Sequence, residues 1–164
     1  MKSEDLGEYV TFCINKSGDT VSPKKLQKLL YYIQAWHLVH LGVPILLEDF
    51  EAWVHGPVLP SLFRSLKENG FNKLNVVDDE GNNLEDAKDL IDKCGLTDEQ
   101  VDLIDSVLLK YGALTAFELE MLSHNEEPWI EARKGLPPHA PCNNVIKKDR
   151  IKRFYLKMLE ENGE

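Results

Sequence analysis

The stretch LSHNEEPW, residues 122–129, sets a histidine, two glutamates and a tryptophan within eight positions. Histidine titrates near neutrality and a carboxylate can orient it, so His124 beside Glu126 and Glu127 has the residue types of a proton relay. FEAWVHGP, residues 50–57, adds Glu51 and His55. If the two stretches face each other, His55 and His124 with Glu51 and Glu126 make the acid/base pairs of a small hydrolase-type enzyme. The same residues also serve a purely architectural purpose. His124 closes one helix, a glutamate caps the next through Pro128, and Trp129 packs as an anchor. The architectural reading is favoured, because neither a nucleophile nor a substrate-fixing element accompanies the acids and histidines.

Other chemistries are weaker still. His37 and His40 are three apart and lack the adjacent glutamate of the zinc-protease helix, so the spacing predicts core or rim histidines with hydrogen-bonded rings. His139 and Cys142 form an H-x-x-C pair without a second pair. The turn rich in Asp, Asn and Gly after Val77 does not match the calcium-loop register. Nucleophile-elbow, P-loop and dinucleotide fingerprints are missing. No metal and no cofactor is expected.

The elements that must position these residues read as mainly helical. Ser22 as N-cap, Pro23 at the first helical position and Gly42 as the stop bracket a five-turn helix. Leu26, Leu29, Leu30, Ile33, Trp36, His40 and Leu41 form its stripe, and Tyr32 and Val39 widen it, so this helix should be central to the core. An earlier helix is predicted over 5–16, with Leu6, Tyr9, Val10, Cys13 and Ile14 inward. Phe50, Ala52 and Val54 alternate with Glu51, Trp53 and His55, which predicts a short strand turned by Gly56-Pro57. A helix with Pro60 in its first turn follows, then a second strand over 73–77. Capping boxes at Thr97/Gln100 and Thr115/Glu118 start two more helices. Another runs from Pro128 to Gly135, and the last starts at Val145. The expected fold is a compact single-domain helical bundle over 1–164, mainly α with a small antiparallel β element.

Composition bounds the partners. The 164 residues are 43% hydrophobic and 29% charged, with three widely spaced cysteines, which predicts a globular chain with free thiols in the cytoplasm. No apolar run approaches the ~20 residues of a membrane span, so no membrane is expected. Eleven acids and two lysines between Asp78 and Asp105 balance to −9, equal to the whole net charge. Lys147, Lys148, Arg150, Lys152, Arg153 and Lys157 form one short cationic stripe near the end. Phosphate binding needs a broader basic surface, so no nucleic acid is expected.

Three motifs carry a resemblance. They are K-L-Q-K-L-L-Y-Y-x-Q-x-W, which holds Leu26, Leu29, Leu30, Tyr31, Tyr32 and Trp36, then E-A-W-x-x-G-P-V with Gly56, and H-x-E-x-P-W. Together, over about residues 22–160, they resemble the Panacea domain of SocA-like and GepA-like phage-associated proteins. The resemblance implies an antitoxin of a toxin-antitoxin system, neutralising a cognate protein toxin by direct binding, and not an enzyme. One member type is an adaptor that delivers its toxin to a protease, so a AAA+ protease is the alternative partner. Aromatic anchors dominate such interfaces. The toxin-binding candidates are therefore Trp53, His55 and Pro57 in the strand-turn, and His124, Glu127 and Trp129 in the second turn. The acidic belt would steer a basic toxin.

Overall fold

The computed structural model describes residues 1–69 and 86–163. Within them, seven helices are arranged with one long one, and three short strands form a side sheet. The helices are α1 (Ser3–Lys16), α2 (Pro23–Leu41), α3 (Pro60–Asn69), α4 (Ala87–Cys94), α5 (Asp98–Tyr111), α6 (Ala116–His124), α7 (Glu127–Ala132) and α8 (Lys148–Glu161). The strands are β1 (Phe50–Trp53), β2 (Gly56–Val58) and β3 (Val145–Ile146).

Helix α2 begins and ends where its capping residues dictate. Ser22 Oγ accepts from Lys25 N at 3.1 Å, Pro23 occupies the first turn, and Gly42 turns the chain left-handed at φ 78°. All thirteen residues from Leu26 to Leu38 are buried, so α2 has no solvated face along its middle. It packs against α1, α3, α5, α6, α8 and β2.

A helix enclosed on every side must find a partner for each polar side chain, because an unpaired buried polar group costs about 1–3 kcal/mol. Gln34 donates through Nε2 to Leu46 O at 2.8 Å and accepts from Ile45 N and Leu46 N at 2.9 and 3.0 Å. Gln27 grips Leu59 in the same two-sided way, accepting from its N–H at 2.9 Å and donating to its carbonyl at 3.2 Å. The two amides, seven residues apart, thus pin the chain on either side of the side sheet. His37 is a buried core histidine with a hydrogen-bonded ring, one of the two placements its spacing predicts, with Nδ1 2.6 Å from Val43 O and Nε2 3.1 Å from Gln100 Nε2. Burial holds its pKa below the usual imidazole value.

Several expectations are corrected. Gly56-Pro57 is not the turn: Val54 and His55 make it, and Gly56–Val58 runs back as β2, with Trp53 opposite Gly56 and Glu51 opposite Val58. Proline is tolerated there because β2 is an edge strand, in the order β2-β1-β3. The last helix starts at Lys148, since Val145 and Ile146 pair antiparallel with Glu51 and Phe50. Ile146 is buried in either role, so its apolar character alone did not separate strand from helix turn. The charge-dense stretch hid α4, which Asp86 caps by accepting from Asp89 N at 2.9 Å. The strand predicted over 73–77 lies outside the described residues. The three cysteines are free.

Because Gln34 alone answers three backbone groups, Gln34→Ala should lower unfolding free energy by about 2–4 kcal/mol, measured by urea denaturation. Retention of wild-type stability would show that the 45–46 backbone finds other partners.

Candidate functional site

The second and third motifs meet against the first. Trp129 Nε1 donates to Trp53 O at 2.8 Å, which ties α7 to the last residue of β1. His124 stacks on the Trp129 ring at 4.0 Å and 17°, and the Arg133 guanidinium lies 4.7 Å from the same ring. Arg133 is 2% exposed. It donates to Ala52 O at 2.8 Å and to Pro137 O at 2.9 Å, with further bonds to the Pro138 and Ala140 carbonyls. One guanidinium thereby holds the proline-rich loop against β1, a task suited to its fixed fork of donors.

Gly56 is the closest point of the assembly. At φ 104° it occupies backbone space that side chains rarely enter, and a Cβ there would lie 2.5 Å from Lys28 Cε and 3.0 Å from Ser123 Oγ. The absent side chain lets Lys28 cross over it. Lys28 is 1% exposed and donates to Pro57 O at 3.3 Å. Its pKa is lowered to about 8, chiefly by burial, with Glu120 acting in the opposite direction and Lys24 adding to the lowering.

The structure gives each of the four groups of the enzyme reading a partner outside that set. His55 is exposed, with Nδ1 2.5 Å from Glu120 Oε1, an acid the sequence did not single out. Glu51 accepts from Trp53 Nε1 at 2.8 Å. Glu126 stands at the N-cap of α7 but makes no capping bond. It turns inward, where Oε1 accepts from Tyr32 and Tyr155 hydroxyls at 2.6 and 2.7 Å. Burial raises its pKa, while the two phenols pull it down. Burial lowers the pKa of His124, whose Nε2 is enclosed with no hydrogen-bond partner among the described residues.

Of the six candidate contact residues, His55 and Glu127 are exposed, Trp53 and His124 are half-buried, and Pro57 and Trp129 are buried. Leu26, Leu29, Leu30, Tyr31, Tyr32 and Trp36 are all core. Tyr32 stacks on Tyr111 at 4.2 Å, and Trp36 Nε1 donates to the Tyr111 hydroxyl at 2.9 Å. Sequence reasoning missed Gln27, Lys28, Gln34, Glu120 and Arg133 as organising residues. The available signal was polar residues inside an over-wide apolar arc, which only makes sense if each has a buried partner. Among the described residues, no group of three or more His, Cys, Asp or Glu is placed to hold a metal ion. None of the described helices is long and apolar enough to cross a membrane.

Fold and site define a mainly helical domain in which three sequence motifs interlock around a buried helix. Residues 26–130 match the family described as "Antitoxin SocA-like, Panacea domain". The chain is 32% identical over 144 residues to Antitoxin SocA of Caulobacter vibrioides (strain NA1000 / CB15N), across 80% of this chain and 72% of that protein. No solved structure matches it. The chain belongs to the SocA-like Panacea-domain family.

A lysine whose pKa is lowered by folding binds its proton less tightly in the native state than when unfolded. Its cost is therefore present below the native value of about 8 and fades as pH rises toward the ordinary lysine value. Lys28→Met should remove the rise in stability between about pH 8 and 10.5 and stabilise the protein at pH 7 by on the order of 3 kcal/mol, read from urea titrations across that range. An unchanged pH slope would show that Lys28 is not the titrating group.

Proposed function

We propose that this chain is a cytoplasmic antitoxin that neutralises a cognate protein toxin by direct, stoichiometric binding. The observation that carries the reading is the family match over residues 26–130, together with 32% identity to a protein named as an antitoxin. The geometry favours binding over turnover. Glu51 is held by Trp53, Glu126 by two tyrosines and His55 by Glu120, while His124 lies against Trp129, so each group of the acid/base reading is engaged by a partner outside that set.

The candidate contact residues divide by exposure into two tasks. Trp53, His55 and Glu127 offer surface to the toxin, whereas Pro57, His124 and Trp129 hold that surface rigid from behind. Rigidity matters because ordering an interface on binding subtracts from affinity. The acids of α4 and α5, including the exposed Asp92, Glu99, Asp102 and Asp105, give one side of the molecule a negative field that would steer a basic toxin.

Co-expression with the product of the adjacent toxin gene should restore growth, leave the toxin level unchanged and yield a 1:1 complex on purification. A shortened toxin half-life would instead favour delivery to a protease, and no rescue would remove the antitoxin reading. Converting Asp92, Asp102 and Asp105 to Asn and Glu99 to Gln should slow association about tenfold at low salt and much less at high salt, measured by stopped flow. A rate unaffected by those changes would eliminate steering by this face.

A further inference from the structure

A groove of about 650 Å³ lies between the first turns of α2, the β1–β2 hairpin and α3. Trp53, Val54, Val58, Phe63 and Leu66 give it an apolar wall. Phe63 is 42% exposed and meets the Trp53 ring edge-on at 5.0 Å. Among the described residues, the charged groups that line it are Lys24, Lys28 and Lys67, with no Asp or Glu, in a protein whose net charge is −9. The local sign thus opposes that of the whole molecule.

Lys28 makes the groove more than an apolar dent. An ammonium has three donors, yet among the described residues its Nζ has one hydrogen-bond acceptor, Pro57 O at 3.3 Å. Lys24 sits at the rim with its side chain 46% exposed and Nζ 4.0 Å from Glu120 Oε2, a separation that leaves its donors free to turn toward a closer anion. A cation buried with too few acceptors calls for an incoming one, and the apolar wall calls for hydrophobic side chains beside it.

We propose that this groove receives an apolar segment of the toxin that carries an aspartate or glutamate, whose carboxylate meets Lys24 and Lys28 while its apolar side chains cover Trp53, Phe63 and Leu66. The proposal rests on the antitoxin reading and adds the address and the chemistry of the contact. It is compatible with a toxin that is basic elsewhere, because the acids of α4 and α5 and the lysines of the groove belong to different elements.

The test uses the full chain and the toxin identified by co-expression. Isothermal titration should show that Lys24→Glu with Lys67→Glu, Phe63→Ser, and Lys28→Met each weaken toxin binding at least tenfold. Lys157→Glu, on the exposed side of α8, should leave affinity within twofold. Circular dichroism and thermal melts establish that each variant is folded, and Lys28→Met should lose affinity while gaining stability, which a merely structural lysine would not do. The anionic apolar dye 1-anilinonaphthalene-8-sulfonate should bind the wild type at one site, bind Phe63→Ser weakly and be displaced by toxin. Wild-type affinity in the folded groove variants overturns the proposal while leaving the antitoxin reading intact. A groove variant that splits a dimer of this chain without weakening toxin capture also overturns it, by giving the surface to a second copy. Failure of the wild type itself to bind toxin removes the antitoxin reading first.

Discussion

A long helix buried around its whole circumference imposes one condition on everything near it: each polar atom it carries must be met. In α2 that condition falls on Gln27, Lys28, Tyr32, Gln34 and His37, and their partners come from Leu59, Pro57, Glu126, Ile45 with Leu46, and Val43. The loop after α2, both ends of the hairpin and the start of α7 are thus positioned by side chains of a single element. Burial of Leu26, Leu29, Leu30 and Ile33 supplies the non-directional attraction, and the polar partners supply the register. Without them an apolar helix could rotate or slide within its sheath at little cost.

The same logic explains the hairpin. Its surface is shaped by groups that lie behind it: Arg133 and Trp129 hold the β1 carbonyls, Lys28 holds Pro57, and glycine at position 56 permits the close approach. Lys28 is the least well satisfied of the polar side chains that α2 buries. A buried ammonium with a single acceptor among the described residues is a local disadvantage, and the surrounding packing tolerates it. Sites where stability is given up for a small structural return are the ones at which a binding function is most economically explained.

Charge is distributed in a way that suits capture of another protein. Acids crowd α4 and α5, where those in the first turns also favour the positive helix ends, while Lys24 and Lys28 face the groove from α2. In the proposed complex, long-range attraction and short-range anchoring fall to different surfaces, one for the rate of encounter and the other for the lifetime of the complex.

Local rules written into the chain determined most of the helices. Ser22, Pro23 and Gly42 bound α2, and the capping boxes at Thr97 and Thr115 start α5 and α6, because these signals act between residues three or four apart. Short elements were less legible: Val145-Ile146 and Gly56-Pro57-Val58 carry no periodicity long enough to separate strand from turn, and only pairing with β1 resolves them. The site was legible as three motifs but not as an arrangement. Glu126 has the sequence position of a cap or an acid/base group, and in the fold it is the acceptor for two tyrosines 94 and 29 residues away. His55 found Glu120 across 65 residues, where no spacing rule reaches. Sequence alone decided which segments coil and which faces are apolar, since those depend on neighbouring residues. Tertiary structure alone decided which buried polar atom answers which, since that depends on where distant segments are brought together in space.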